Sequence, residues 1–178
     1  MPPEDREPGP IRAARATHAA LKHFVGALVL VSIGVMGVGV ILRYVMLPIT
    51  EALGQSPISF FWVEEVGELT LAWTALVGAA VGIAERTHFA LALFTQHLPQ
   101  SAQRVIRAVN HVIIAGFGGF VAWQGWIVLG YNRGIVTPAL EISMAWLFAS
   151  LVAGGTLIVI YALATIARVR LPEHHVVE

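Results

Sequence analysis

Long apolar runs broken by short polar clusters organise this chain. The first run, Phe24 to Leu42, holds nineteen residues without a charge. At about 1.5 Å per residue it measures roughly 28 Å, one hydrocarbon core. Arg43 and Tyr44 close this span (24–44), and a polar loop follows from Pro48 to Pro57 with Gly54, Gln55 and Ser56. A second run, 60–84, carries Glu64, Glu65 and Glu68 in its first turns and ends at Glu85, Arg86 and His88. A third, 108–131, follows Arg104 and Arg107, and a fourth, 142–167, precedes Arg168 and Arg170. The loop between them holds Asn132, Arg133, Gly134, Pro138 and Glu141. The pattern predicts an all-α integral membrane protein with four transmembrane helices.

Two shorter segments read as in-plane amphipathic helices. In 10–22, Arg12, Arg15, Ala19 and Lys22 share one helical face and Ile11, Ala14, His18 and Leu21 another, as in a basic helix lying on the inner membrane surface. A helical extension of the first span is the alternative. In 89–98, Leu91, Phe94 and Leu98 share a face and Pro99 stops the helix. Residues 1–9, rich in proline and charge, are expected to be disordered, and 171–178 form a tail. The membrane domain is 10–170. The first apolar run reads as a retained start-transfer helix rather than a cleavable signal, because it begins after a hydrophilic stretch and exceeds a signal core in length.

Basic residues set the orientation. Nine of the eleven Lys and Arg fall on one side of the four-span scheme, and only Arg43 and Arg133 fall on the other. Both ends are therefore placed inside (N-in, C-in). Trp62, Trp126, Tyr131 and Trp146 then lie near the outer interface as an aromatic belt. Small-residue pairs four apart, Gly78/Gly82, Ala115/Gly119 and Ser150/Gly154, suit close helix approach in a packed bundle.

Composition narrows the chemistry. Hydrophobic types make up 57% and charged types 12% of the chain, well below the charge content of a soluble domain. Zero formal net charge gives no drive toward nucleic acid, and the absence of cysteine removes disulfides and thiolate sites. The carboxylates of Glu64, Glu65 and Glu68 crowd within two turns, so they need a partner or a proton. Arg43, at the same outer interface, is the expected ion-pair partner, and a proton or cation site is the alternative. Arg86 and His88, with Arg104 and Arg107, form an inner basic rim suited to anionic lipid or a partner's acidic groups. His23, His88 and His111 all lie toward the inner leaflet, where facing histidines could ligate haem. Asn110 and Gln124 are candidates for interhelical hydrogen bonds. No nucleophile triad or phosphate loop is present, so no catalytic, cofactor or metal residue is assigned. Nor do repeated broken helices or a buried mid-membrane polar site, the marks of a stand-alone transporter, appear in the sequence.

Several motifs together resemble a known family. They are Arg43-Tyr44, the run Trp62-Val63-Glu64-Glu65, Trp73, Gly78-Ala79-Ala80, Arg86-Thr87-His88, the ending Leu98-Pro99, and Thr137-Pro138-Ala139-Leu140-Glu141-Ile142. In order and spacing they are similar to the small (Q-type) membrane subunit of tripartite ATP-independent periplasmic (TRAP) transporters. Two positions depart from that pattern. Thr137 stands for a serine, and Phe89-Ala90-Leu91-Ala92 lacks the acidic residue usual after the histidine. The resemblance implies a non-enzymatic scaffold in the bacterial inner membrane. Its partners would be a large membrane subunit with the substrate and sodium sites, a periplasmic binding protein that delivers an organic acid, commonly a carboxylate, and phospholipid. Arg43, Trp62, Glu64, Glu65, Glu68, Trp73, Arg86 and His88 are the candidate residues for structural, interface or lipid contacts.

Overall fold

The computed structural model describes the backbone of residues 9–54, 60–95 and 99–170, and the side chains of 16–54, 60–85 and 99–166. Among these there are five α-helices: α1 (Gly9–Ile41), α2 (Leu47–Ala52), α3 (Phe61–Thr95), α4 (Gln100–Asn132) and α5 (Ala145–Arg170). Four stretches are long and apolar enough to cross a membrane, namely Ala16–Ala52, Phe61–Glu85, Gln100–Asn132 and Ala145–Ile166.

For 10–22 the alternative of a helical extension of the first span holds. Residues 10–22 continue without a break into the first span, giving a helix of 33 residues, about 50 Å long. Residues 89–95 likewise continue α3, while the last three of the expected 89–98 helix lie outside the described residues. The physical reason is proline. A polar cluster ends a span but does not end a helix, and no proline lies between Pro10 and Pro48 or between Pro57 and Pro99. The expected tails, 1–9 and 171–178, fall outside the described residues apart from Gly9.

The first outer loop is also shorter than its sequence implies. The helix does not stop at Tyr44 but widens into a π-helical turn over Leu42–Met46 and resumes as α2 with Pro48 in its first turn. Pro48 has no N–H to give the carbonyl four residues back, and its ring would collide with that carbonyl. One inserted residue per turn relieves both problems. Gly54, with φ +68°, then ends α2, its N–H donating to the Glu51 carbonyl at 3.1 Å.

The helices pack in a row. α1 packs on α3, α3 on α5, and α5 on α4, while α1 and α4 form the two edges. The apolar core lies accordingly on the two central helices: Val63, Val77, Ala80 and Val81 from α3, Ile158 and Ala162 from α5. Because the chain crosses four times, these central neighbours run parallel to each other. Close approach is concentrated at few glycines. A Cβ on Gly155 would sit 2.7 Å from both Ala122 N and Gly118 O, and one on Gly154 would sit 2.9 Å from the Leu76 carbonyl carbon. Of the expected pairs, Ser150/Gly154 is buried in the row, whereas Gly82 and Gly119 meet nothing within 4 Å.

Candidate functional site

The outer ends of α3 and α5, with the loop between α4 and α5, enclose a cavity of about 280 Å³. Glu64, Glu65, Glu68, Thr137, Pro138 and Met144 are among its lining residues. The loop is tightly folded. The Thr137 N–H donates to the Ile142 carbonyl at 2.9 Å, and the Met144 N–H to that of Ile135 at 2.9 Å. Within this bracket the Glu141 N–H donates to the Thr137 carbonyl at 3.1 Å, closing a single helical turn. Glu141 ends the turn at φ +53°.

A lone helical turn leaves its first N–H groups without partners. Pro138 has none to offer, so the unpaired donors are those of Ala139 and Leu140. Glu65 accepts both, at 2.7 Å through Oε1 and 2.9 Å through Oε2. One carboxylate on α3 thus holds the turn before α5, 74 residues away. Charge-assisted bonds of this kind are stronger than neutral ones.

The three glutamates therefore have three different situations. Arg43 Nη2 donates to Glu64 Oε1 at 2.6 Å, with side chains 66% and 54% exposed, tying α1 to α3. Glu65 is turned to the loop backbone, and Glu68 has no partner among the described residues. Trp62 is exposed at the outer end of α3, and Trp73 Nε1 donates to the Trp146 carbonyl at 3.0 Å, joining α3 to the start of α5. The side chains of Arg86 and His88 lie outside the described residues.

Sequence reasoning missed the Glu65 bracket. It read the two motifs separately, although a Thr-Pro opening is a helix-start signal whose free N–H groups attract an anion. It also missed an inner clasp. Lys22 Nζ lies 2.7 Å from Glu85 Oε1, and His18 Nε2 lies 3.5 Å from the same oxygen. His18 Nδ1 and the Tyr161 hydroxyl are 3.1 Å apart, so α1, α3 and α5 meet at one point. Opposite charges closing two antiparallel spans at the same depth were the available signal.

Of the three inner-leaflet histidines, the two whose side chains are described, His23 and His111, do not converge. His23 is exposed on α1, one edge of the row. His111 is on α4, the other edge, 1% exposed with Nδ1 2.7 Å from the Arg107 carbonyl. Mid-span polar contacts are structural, as where Ser32 Oγ donates to Thr70 Oγ1 at 2.8 Å and Thr70 donates onward to the Val66 carbonyl. A second crevice, about 320 Å³, is lined by Phe24, Leu28, Leu69, Trp73, Trp146 and the single polar residue Thr70.

Comparison with known proteins agrees with the resemblance drawn from the sequence. The family described as "Tripartite ATP-independent periplasmic transporters, DctQ component" matches residues 32–171. The sialic acid TRAP transporter small permease protein SiaQ of Vibrio cholerae is 29% identical over 104 residues, covering 55% of this chain and 57% of that protein. The match thus spans a little over half the length of that relative.

Proposed function

The chain belongs to the DctQ component family of tripartite ATP-independent periplasmic transporters, and we propose that it serves as the fixed small subunit beside a larger, many-span permease. Family membership makes it a transporter small permease subunit rather than an enzyme, and a multi-pass protein of the bacterial inner membrane. The proposed system takes up an organic acid of the carboxylate class with sodium, after delivery by a periplasmic binding protein. Sialic acid, named for the Vibrio relative, is an acidic sugar of that class.

The family match over residues 32–171 carries this reading. The geometry fits it. Of the two cavities described, one opens at the outer surface and the other is an almost wholly apolar crevice. Neither offers a charged path across the membrane, so the cargo site is assigned to the partner. The row of helices widens the partner's static frame, and its inner basic residues anchor that frame to anionic phospholipid. The outer loop held by Glu65, together with α2, forms the surface proposed to meet the loaded binding protein.

The test is a mild-detergent pull-down of the full chain from native membranes, with mass spectrometry, alongside sodium-dependent uptake of labelled sialic acid and simple carboxylates. Recovery of a many-span permease, and loss of uptake on deleting this chain, are expected. A colourless monomer whose deletion leaves uptake of every carboxylate unchanged would end the proposal.

A further inference from the structure

The edge helix α4 carries two seams of heptad spacing. His111, Gly118 and Gly125 are buried, and Gly118 and Gly125 lie against α5. About 100° or more around the helix runs a second stripe: Ile113, Phe117, Phe120, Gln124, Ile127 and Tyr131. All six are exposed, Phe117 by 63%, Phe120 by 61% and Tyr131 by 80%. Alternate spacings of three and four along this stripe are those of a helix that receives another helix, knobs into holes. Asn110 continues it at the inner end, fourteen residues before Gln124.

Gln124 distinguishes this stripe from a lipid-facing one. It lies eight residues before Asn132, the end of α4, so its Cα is about 12 Å inside that end. That depth is just inside the aromatic belt to which Trp126 belongs. The Gln124 carboxamide offers two donors and an acceptor, and it has no hydrogen-bond partner among the described residues. Thr156 shows the contrast. It is exposed on α5 yet closes onto the carbonyl of Val152, one turn earlier, at 2.7 Å. An amide left open in hydrocarbon is costly, and interhelical hydrogen bonds are its usual resolution. The neighbouring flank of α4, with Val112, Gly116, Gly119 and Trp123, offers one indole N–H and no side-chain acceptor.

We propose that the stripe Ile113, Phe117, Phe120, Gln124, Ile127 and Tyr131 receives a transmembrane helix of the large permease subunit, with Gln124 hydrogen-bonded to a polar group of that helix at the same depth. This rests on the small-subunit reading above and adds the docking face. The α4 edge joins the partner, and the α1 edge of the row faces lipid.

The test uses the full chain in its native membrane. Benzoylphenylalanine replaces Phe117, Phe120 or Ile127 on the stripe, or Ile33 on α1, and irradiation precedes purification and mass spectrometry. The stripe positions are expected to link to the many-span permease and Ile33 to lipid. Separately, Gln124→Leu is expected to lower recovery of that permease about 3- to 15-fold, the range of one interhelical hydrogen bond. Gln124→Asn is expected to restore part of it, with the amount of this chain in the membrane unchanged. Stripe positions linking only to lipid or to a second copy, while wild type still recovers the permease, would overturn the docking face and leave the small-subunit reading intact. Equal linking from Ile33 would overturn it in the same way. Failure of wild type to recover any permease would overturn both.

Discussion

Replacing Gly155 by alanine probes the closest approach to neighbouring backbone in the row. The new Cβ would lie 2.7 Å from Ala122 N, 2.7 Å from Gly118 O and 3.0 Å from Ala122 Cα. All three are backbone atoms, so none can rotate aside. Restoring ordinary contact requires α4 and α5 to part by about 0.7 Å, and a gap of that size forfeits a quarter to a half of each opposed contact's attraction. The cost expected for such overpacking is about 1–3 kcal/mol. Alanine also gains about 1 kcal/mol in helix propensity over glycine, which hides part of the loss. Gly119→Ala is the matched control. It meets nothing within 4 Å and carries the propensity gain alone. The difference between the two variants isolates the clash, and Gly155→Ala is expected to be the less stable by about 1–3 kcal/mol. Reversible unfolding in mixed detergent micelles, followed by tryptophan fluorescence, measures it. Equal stability of the two variants would refute the close α4–α5 approach.

Three further outcomes follow from the outer site. Glu65→Gln leaves one amide oxygen facing two backbone donors, so exchange of the Ala139 and Leu140 amides should accelerate, while Glu64→Gln should leave them unchanged; hydrogen-exchange mass spectrometry of the 133–144 segment reads both. A double-mutant cycle of Arg43→Ala and Glu64→Ala should give a coupling of about 0.2–1 kcal/mol, because both side chains are more than half exposed, and the swapped pair Arg43→Glu with Glu64→Arg should recover part of it. Glu141→Gly should raise the unfolding midpoint by removing a left-handed conformation that costs a non-glycine residue about 1–2 kcal/mol, less the entropy glycine loses; a lowered midpoint would contradict the turn geometry.

The spans were legible in the sequence because each apolar run is longer than a soluble core needs and ends in charge. The helix ends were not, since polarity locates the water boundary whereas proline sets helix length. This is why 10–22 and 89–95 join their spans and why Pro48 falls within a helical stretch. The small-residue pairs show the same limit. Gly154 meets a neighbouring helix and Gly82 and Gly119 do not; spacing marks a face without saying what that face meets. The pairing of Arg43 with a glutamate could be anticipated from two charges at one depth. The role of Glu65 could not, because its partners are backbone N–H groups, which no residue pattern displays.

The parallel course of α3 and α5 has an electrostatic consequence. Each helix sums its peptide dipoles to about half a positive charge at its N-terminus, so the row's centre carries two positive poles on the outer side. Glu64 sits in the first turn of α3, with Glu65 and Glu68 just beyond it, and the basic residues Arg168 and Arg170 of α5 sit at the opposite pole. In the central pair, the charges that fix topology also offset the dipoles. In α1 and α4 the two requirements conflict. Arg12 and Arg15, and Arg104 and Arg107, lie near the positive poles of their own helices, where cations are disfavoured. The two edges of the inner surface therefore combine side-chain and dipole charge of one sign. They form a pair of anion-attracting flanks around a balanced centre, on a chain whose formal net charge is zero.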